Sequence, residues 1–121
     1  MTSTIDEARL AARTASQKQA EAVVILDVRE QITITDYFVI CSGSSERQVK
    51  TIAEEVEKAL KGVGRSPVRV EGGPGARWIL LDYVDFVVHV FHEDERAFYR
   101  LETLWQDAPR ILWEAATSEA V

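Results

Sequence analysis

The sequence predicts a mixed α/β domain: a sheet of about five strands flanked by helices. Three observations carry this. Apolar stripes at helical spacing follow Thr4 and Ser45, five short runs rich in β-branched or aromatic residues lie among and after them, and hairpin and longer connections alternate. At 121 residues, 46% of them hydrophobic, the chain has the size of one domain with one buried core. Its 28% charged residues, six Gly and three Pro exclude disordered and collagen-like classes.

A first helix is expected over residues 4–20, where Ile5, Ala8, Ala12 and Ala15 form a stripe and Thr4 with Glu7 has capping-box spacing. An alanine stripe suits close packing on another element better than an independent helix. Val23–Val28 reads as a strand covered on both faces, and Tyr37–Cys41 as a second. After Ser42–Ser45 a second helix opens, with Ser45 and Gln48 at capping-box spacing and Val49, Ile52, Ala53, Val56 and Leu60 on one face. Lys58 and Lys61 suit its negative end, and Gly62 is expected as a left-handed cap. Val68–Glu71 is a short strand and Gly72–Gly75 a loop. Arg77–Leu81 and Asp85–Phe91 form a hairpin through Tyr83 and Val84, where a valine is unfavourable if the turn needs a positive φ. Ala97, Phe98, Leu101, Leu104 and Trp105 then mark a helix, and Pro109–Ala116 a short last one.

Pairing Asp82 with Asp85 and applying the two-residue strand period sorts the hairpin into two faces. Ile79, Leu81, Phe86, Val88 and Val90 are core; Trp78, Leu80, Asp82, Asp85, Val87, His89 and Phe91 share the other side. That second set serves either a partner-binding surface with an aromatic anchor or a second core layer under further helices. Asp82, Asp85, His89 and His92 are residue types that ligate divalent ions. His89 and His92, three apart on a strand, point to opposite faces, so no shared metal site is expected. The Ser42–Ser45 turn lacks the Gly-Lys-Ser/Thr ending of a phosphate-binding loop and reads as capping, and Cys41 reads as an inert buried thiol. No cofactor is expected.

The net charge is −6, and from residue 82 onward nine acidic groups face three basic ones. This argues against direct nucleic-acid recognition and fits steering toward a basic partner, although acidic surface also serves solubility alone. A lone cysteine, an acidic N-terminus and the lack of a long apolar run lead us to expect a cytoplasmic protein with no membrane partner.

Several segments resemble the ribosomal silencing factor family, RsfS or Iojap. They are Asp36–Ser45 with Arg47-Gln48-Val49, Trp78–Tyr83, Asp85–His92, and Arg96–Tyr99 with Leu101-Glu102 and Leu104-Trp105. Val84 stands where the family usually has Gly. The resemblance implies a nucleotidyltransferase-like fold over residues 1–106; it assigns no role to residues 107–121, which the residues themselves lead us to expect as a C-terminal extension made of a short helix and a frayed tail. It implies no transferase activity, since no Asp-x-Asp follows the Gly43-Ser44 turn. It further implies a translational repressor that binds the large ribosomal subunit through a ribosomal protein on its intersubunit face and sterically blocks joining of the small subunit. Trp78, Leu80, Asp82, Tyr83 and Asp85 are the expected docking residues, with Trp78 as anchor and the aspartates facing Lys or Arg of a basic ribosomal protein. Two other readings stay open: a nucleotidyltransferase-like or metal-dependent enzyme centred on Asp82, Asp85 and His89, and a homodimeric interaction module.

Overall fold

A computed structural model describes residues 3–72, 75–95 and 107–114. The elements run α1 (Thr4–Gln17), β1 (Glu21–Asp27), β2 (Tyr37–Gly43), α2 (Glu46–Lys61), β3 (Arg69–Glu71), β4 (Trp78–Asp82), β5 (Phe86–His92) and β6 (Arg110–Ile111). They build an α/β fold with one six-stranded sheet in the order β3-β4-β5-β2-β1-β6. It is a mixed sheet: β2 and β5 run parallel and every other pair antiparallel. The helix expected over Ala97–Trp105 lies outside the described residues.

Both helices pack on one face of this sheet. Ala8, Ala11, Ala12 and Ala15 of α1 join Val49, Ile52, Val56 and Leu60 of α2 over Ile25, Val39, Cys41, Leu81, Phe86, Val88 and Val90. The small α1 stripe brings that helix close to the sheet, where its own apolar area would be too small to hold it. A smaller cluster on the opposite face joins Leu26, Val28, Ile40, Phe91 and Ala108.

Several local expectations are revised. Ser3, not Thr4, caps α1, its Oγ accepting from Asp6 N at 3.2 Å. Glu7 lies buried, paired with Arg65. Ser45 caps α2 as expected, but Gln48 reaches one residue further back, its Oε1 accepting from Ser44 N at 2.7 Å and Ser44 Oγ at 2.9 Å. Both Ser44 donors are thus taken up by α2, while Ser42 Oγ donates to Glu21 O of β1 at 3.1 Å. Gly62 is right-handed with φ −64°, and the left-handed residue beyond α2 is Gly64 at φ +86°. Residues 109–114 do not open a helix. They carry β6, which pairs with β1, while Trp113 Nε1 donates to Val23 O at 3.0 Å and Arg9 Nε to Leu112 O at 2.9 Å. Segment 107–114 is thereby joined to the sheet instead of trailing from it.

The hairpin register also differs: Asp82 pairs with Val87, two residues beyond the assumed partner. A two-residue slip preserves the faces, so the sorting of side chains stands. In the turn, Tyr83 O accepts from Asp85 N at 2.8 Å across Val84, which sits at φ +73° and is exposed. This is a γ-turn with a β-branched residue in the left-handed region. Val84→Gly relieves roughly 1–2 kcal/mol of strain against about 0.5–1 kcal/mol of extra backbone entropy. We expect a net gain of about 1 kcal/mol, read as a raised midpoint in thermal unfolding. A lowered midpoint would show that the valine is not strained.

Candidate functional site

The candidate site is the sheet face turned away from α1 and α2, built by the second side-chain set of β4 and β5 together with β2. The registers arrange it in rows: Asp82, Val87 and Phe38; then Leu80, His89 and Ile40; then Trp78, Phe91 and Ser42. Aromatic contacts tie the rows together. Trp78 stacks on Phe91 at 4.8 Å between ring centroids, His89 lies parallel to Phe91 at 5.9 Å, and Phe38 meets His89 edge-on at 5.0 Å. Such pairs add specific geometry to apolar burial.

Trp78 remains 40% exposed, whereas Phe91 and Ile40 are fully buried. Leu80 and Asp82 are partly exposed and Asp85 is exposed. Four of the five expected docking residues therefore reach the surface. Tyr83 does not: at 1% exposure it belongs to the helix-side core, its ring stacked on Phe86 at 4.8 Å. The two-residue period places it there with Ile79 and Leu81, against the expected docking role. Its hydroxyl has no hydrogen-bond partner among the described residues, and burial pushes its ionisation above the ordinary tyrosine range.

The two aspartates hold different positions. Asp82 Oδ1 accepts from Val84 N at 2.8 Å, and its Oδ2 lies 3.6 Å from an Arg69 guanidinium nitrogen. Asp85 sits on the turn, anchored through its backbone O, which accepts from Asp36 N at 2.8 Å. Arg69 thus offsets part of the Asp82 charge at this end of the face, where Asp85 is the more exposed of the two. Further along the chain the acidic run is partly neutralised, because Arg77 contacts Glu95 at 2.7 Å and Glu46 and Asp94 at 3.4 Å each.

His89 is buried in this face, and desolvation lowers its pKa to about 4, so the ring is neutral at physiological pH. Trp78 Nε1 donates to its Nδ1 at 3.3 Å, which assigns the ring proton to Nε2. His92 stands apart at the end of β5, its Nδ1 accepting from Asp94 N at 3.2 Å. Asp82, Asp85 and His89 thus each have separate engagements. Among the described residues no three His, Cys, Asp or Glu side chains gather where a metal ion could bind. Cys41 is buried as expected, its Sγ 3.9 Å from His89 O.

Phe38 and Arg69 complete the site and were not singled out by sequence. The alternation within Tyr37–Gly43 puts Phe38 on a face with Ile40, but only the parallel β2–β5 pairing brings it to His89. No helix among the described residues is long and apolar enough to cross a membrane.

Comparison with known proteins bears on the family and the fold. The family model described as "Ribosomal silencing factor during starvation", RsfS, matches residues 1–121. A ribosomal silencing factor RsfS of Halalkalibacterium halodurans is 47% identical over 110 residues, spanning 91% of this chain and 94% of its own. Mouse "Mitochondrial assembly of ribosomal large subunit protein 1" is 32% identical over 92 residues, 74% of this chain and 40% of its own. A crystal structure of a Bacillus halodurans protein superposes with a TM-score of 0.78 at 43% identity, covering 90% of this chain and 99% of that one. With the family model matching residues 1–121 and a relative this similar over nearly all of both chains, the chain belongs to the ribosomal silencing factor family.

Proposed function

We propose that the protein represses translation by binding the large ribosomal subunit through a basic ribosomal protein on its intersubunit face, where its bulk prevents the small subunit from joining. Family membership supports a ribosomal partner, and the mouse relative's name points to the large subunit. The single observation that carries the docking reading is the half-exposed Trp78 beside Leu80, with the carboxylates of Asp82 and Asp85 at the rim. An aromatic anchor bordered by charge is the pattern of an energetic hot spot. Since the chain carries a net charge of −6, RNA phosphates repel it and a basic protein attracts it. The action is steric and not catalytic on this reading, in keeping with the separate engagements of Asp82 and His89.

Sedimentation with separated large subunits, small subunits and joined ribosomes tests this. Wild-type protein is expected to travel with large subunits alone and to reduce joining. Trp78→Ala should weaken that binding by roughly 10–100-fold, the loss of about 1.4–2.8 kcal/mol typical of an interfacial anchor. Tyr83→Phe, which keeps the buried ring and removes an unsatisfied hydroxyl, should bind as wild type and be no less stable. Absence of large-subunit binding would overturn the function; undiminished binding by Trp78→Ala would overturn the docking face.

A further inference from the structure

We propose that His89 is the positioning residue of the docking face: it accepts the indole N–H of Trp78 and so sets which edge of the anchor faces a partner. This rests on the docking reading above and adds a residue that does not itself touch the partner. Stacking on Phe91 at 4.8 Å, with the rings 30° apart, sets the plane of the indole but does not distinguish its two edges, which a half-turn about Cβ–Cγ exchanges. The hydrogen bond from Nε1 to His89 Nδ1, 3.3 Å long, selects one of the two. It turns the one polar atom of the ring inward, so a partner meets carbon surface and need not supply an acceptor for the N–H. The chemistry that fits such a ring is an apolar side chain or the cation of Lys or Arg.

His89 is suited to this because it is itself immobile. It is 8% exposed, edge-on to Phe38 at 5.0 Å and parallel to Phe91 at 5.9 Å. Burial keeps the ring neutral, with a lone pair on Nδ1, at physiological pH. A phenylalanine there preserves the packing and loses the acceptor, whereas an asparagine places a carbonyl oxygen near Nδ1 and loses the ring.

The chain has three tryptophans, so its nitrogen-proton NMR spectrum should hold three indole signals, that of Trp78 identified by its loss in Trp78→Phe. Trp113, which donates to Val23 O, serves as an internal reference. In His89→Phe the Trp78 signal should move upfield and exchange faster with solvent while that of Trp113 stays in place. Large-subunit binding should weaken roughly fivefold, the effect of one neutral hydrogen bond. His89→Asn should restore both signal position and binding. An unmoved Trp78 signal in His89→Phe would overturn the proposal. So would a displaced signal with wild-type binding, provided Trp78→Ala binds weakly. Wild-type binding by Trp78→Ala would instead remove the docking face, and with it any role for His89 there, whatever the NMR result.

Discussion

Arg65→Ala is expected to lower the unfolding free energy by about 3 kcal/mol, near the low end for a broken buried ion pair because Arg65 is partly exposed. Nη1 of Arg65 lies 2.8 Å from Oε1 of Glu7, whose side chain is only 6% exposed. Nη2 donates to Tyr83 O at 2.7 Å, and the guanidinium carbon stands 5.8 Å from the centre of the Phe86 ring. One side chain therefore joins α1 to the turn that carries Asp82 and Asp85. Removing it leaves the Glu7 carboxylate buried without its guanidinium and withdraws a charged donor from Tyr83 O. Against a typical domain stability of about 5–15 kcal/mol this is a large share, and the melting midpoint should fall by about 10 °C. Arg65→Lys should fall between the two, since an ammonium lacks the fork that serves both acceptors. Urea unfolding of the three proteins checks this. A loss under 1 kcal/mol in Arg65→Ala would mean that the pair contributes little.

Acidification should cost a similar amount through His89. Its folded pKa is about 4 against an ordinary value of 6.5, so between these values the unfolded chain binds the proton and the folded chain does not. Stability then rises with pH across this window. The contribution is fully present above about pH 6.5 and is lost as pH falls toward 4, an interval worth about 3 kcal/mol. Below pH 4 both states are protonated and this group adds no further slope. The cause is desolvation: the ring lies among Phe38, Trp78 and Phe91, and charging it also abolishes the acceptor for the Trp78 N–H. Urea unfolding at pH 7, 5.5 and 4 should show wild type losing stability relative to His89→Phe, with carboxylates common to both proteins cancelling in the difference. Parallel pH profiles would show that His89 does not titrate in this range.

Much of the site was legible because strand side chains alternate with a fixed period. That rule placed Trp78, Leu80 and Asp82 on one face with Val87, His89 and Phe91, and the two-residue error in register left the sorting intact. The cap at Ser45 and the apolar face of α2 were equally local, and both formed as expected. Tyr83 follows the same alternation one step past Asp82, which puts it on the core side with Ile79 and Leu81; its expected docking role set that period aside. β6 was missed for the opposite reason. Two residues are too short a run to show a period, and Arg110 and Ile111 become a strand only because β1 offers an edge.

By itself the sequence determined a mixed α/β domain, its two apolar helix stripes, the side to which each β4 and β5 side chain points, and a net negative charge. These follow from local geometry and composition, which any stretch of chain carries with it. Only the tertiary structure decided that β2 lies parallel to β5, bringing Phe38 to His89, and that Arg65 reaches Glu7 across 58 residues to hold the turn at Tyr83. Such contacts join groups far apart in the chain. Which of many possible pairs forms is settled by closing the whole chain over one core, where each buried polar group must find a partner or its burial becomes too costly.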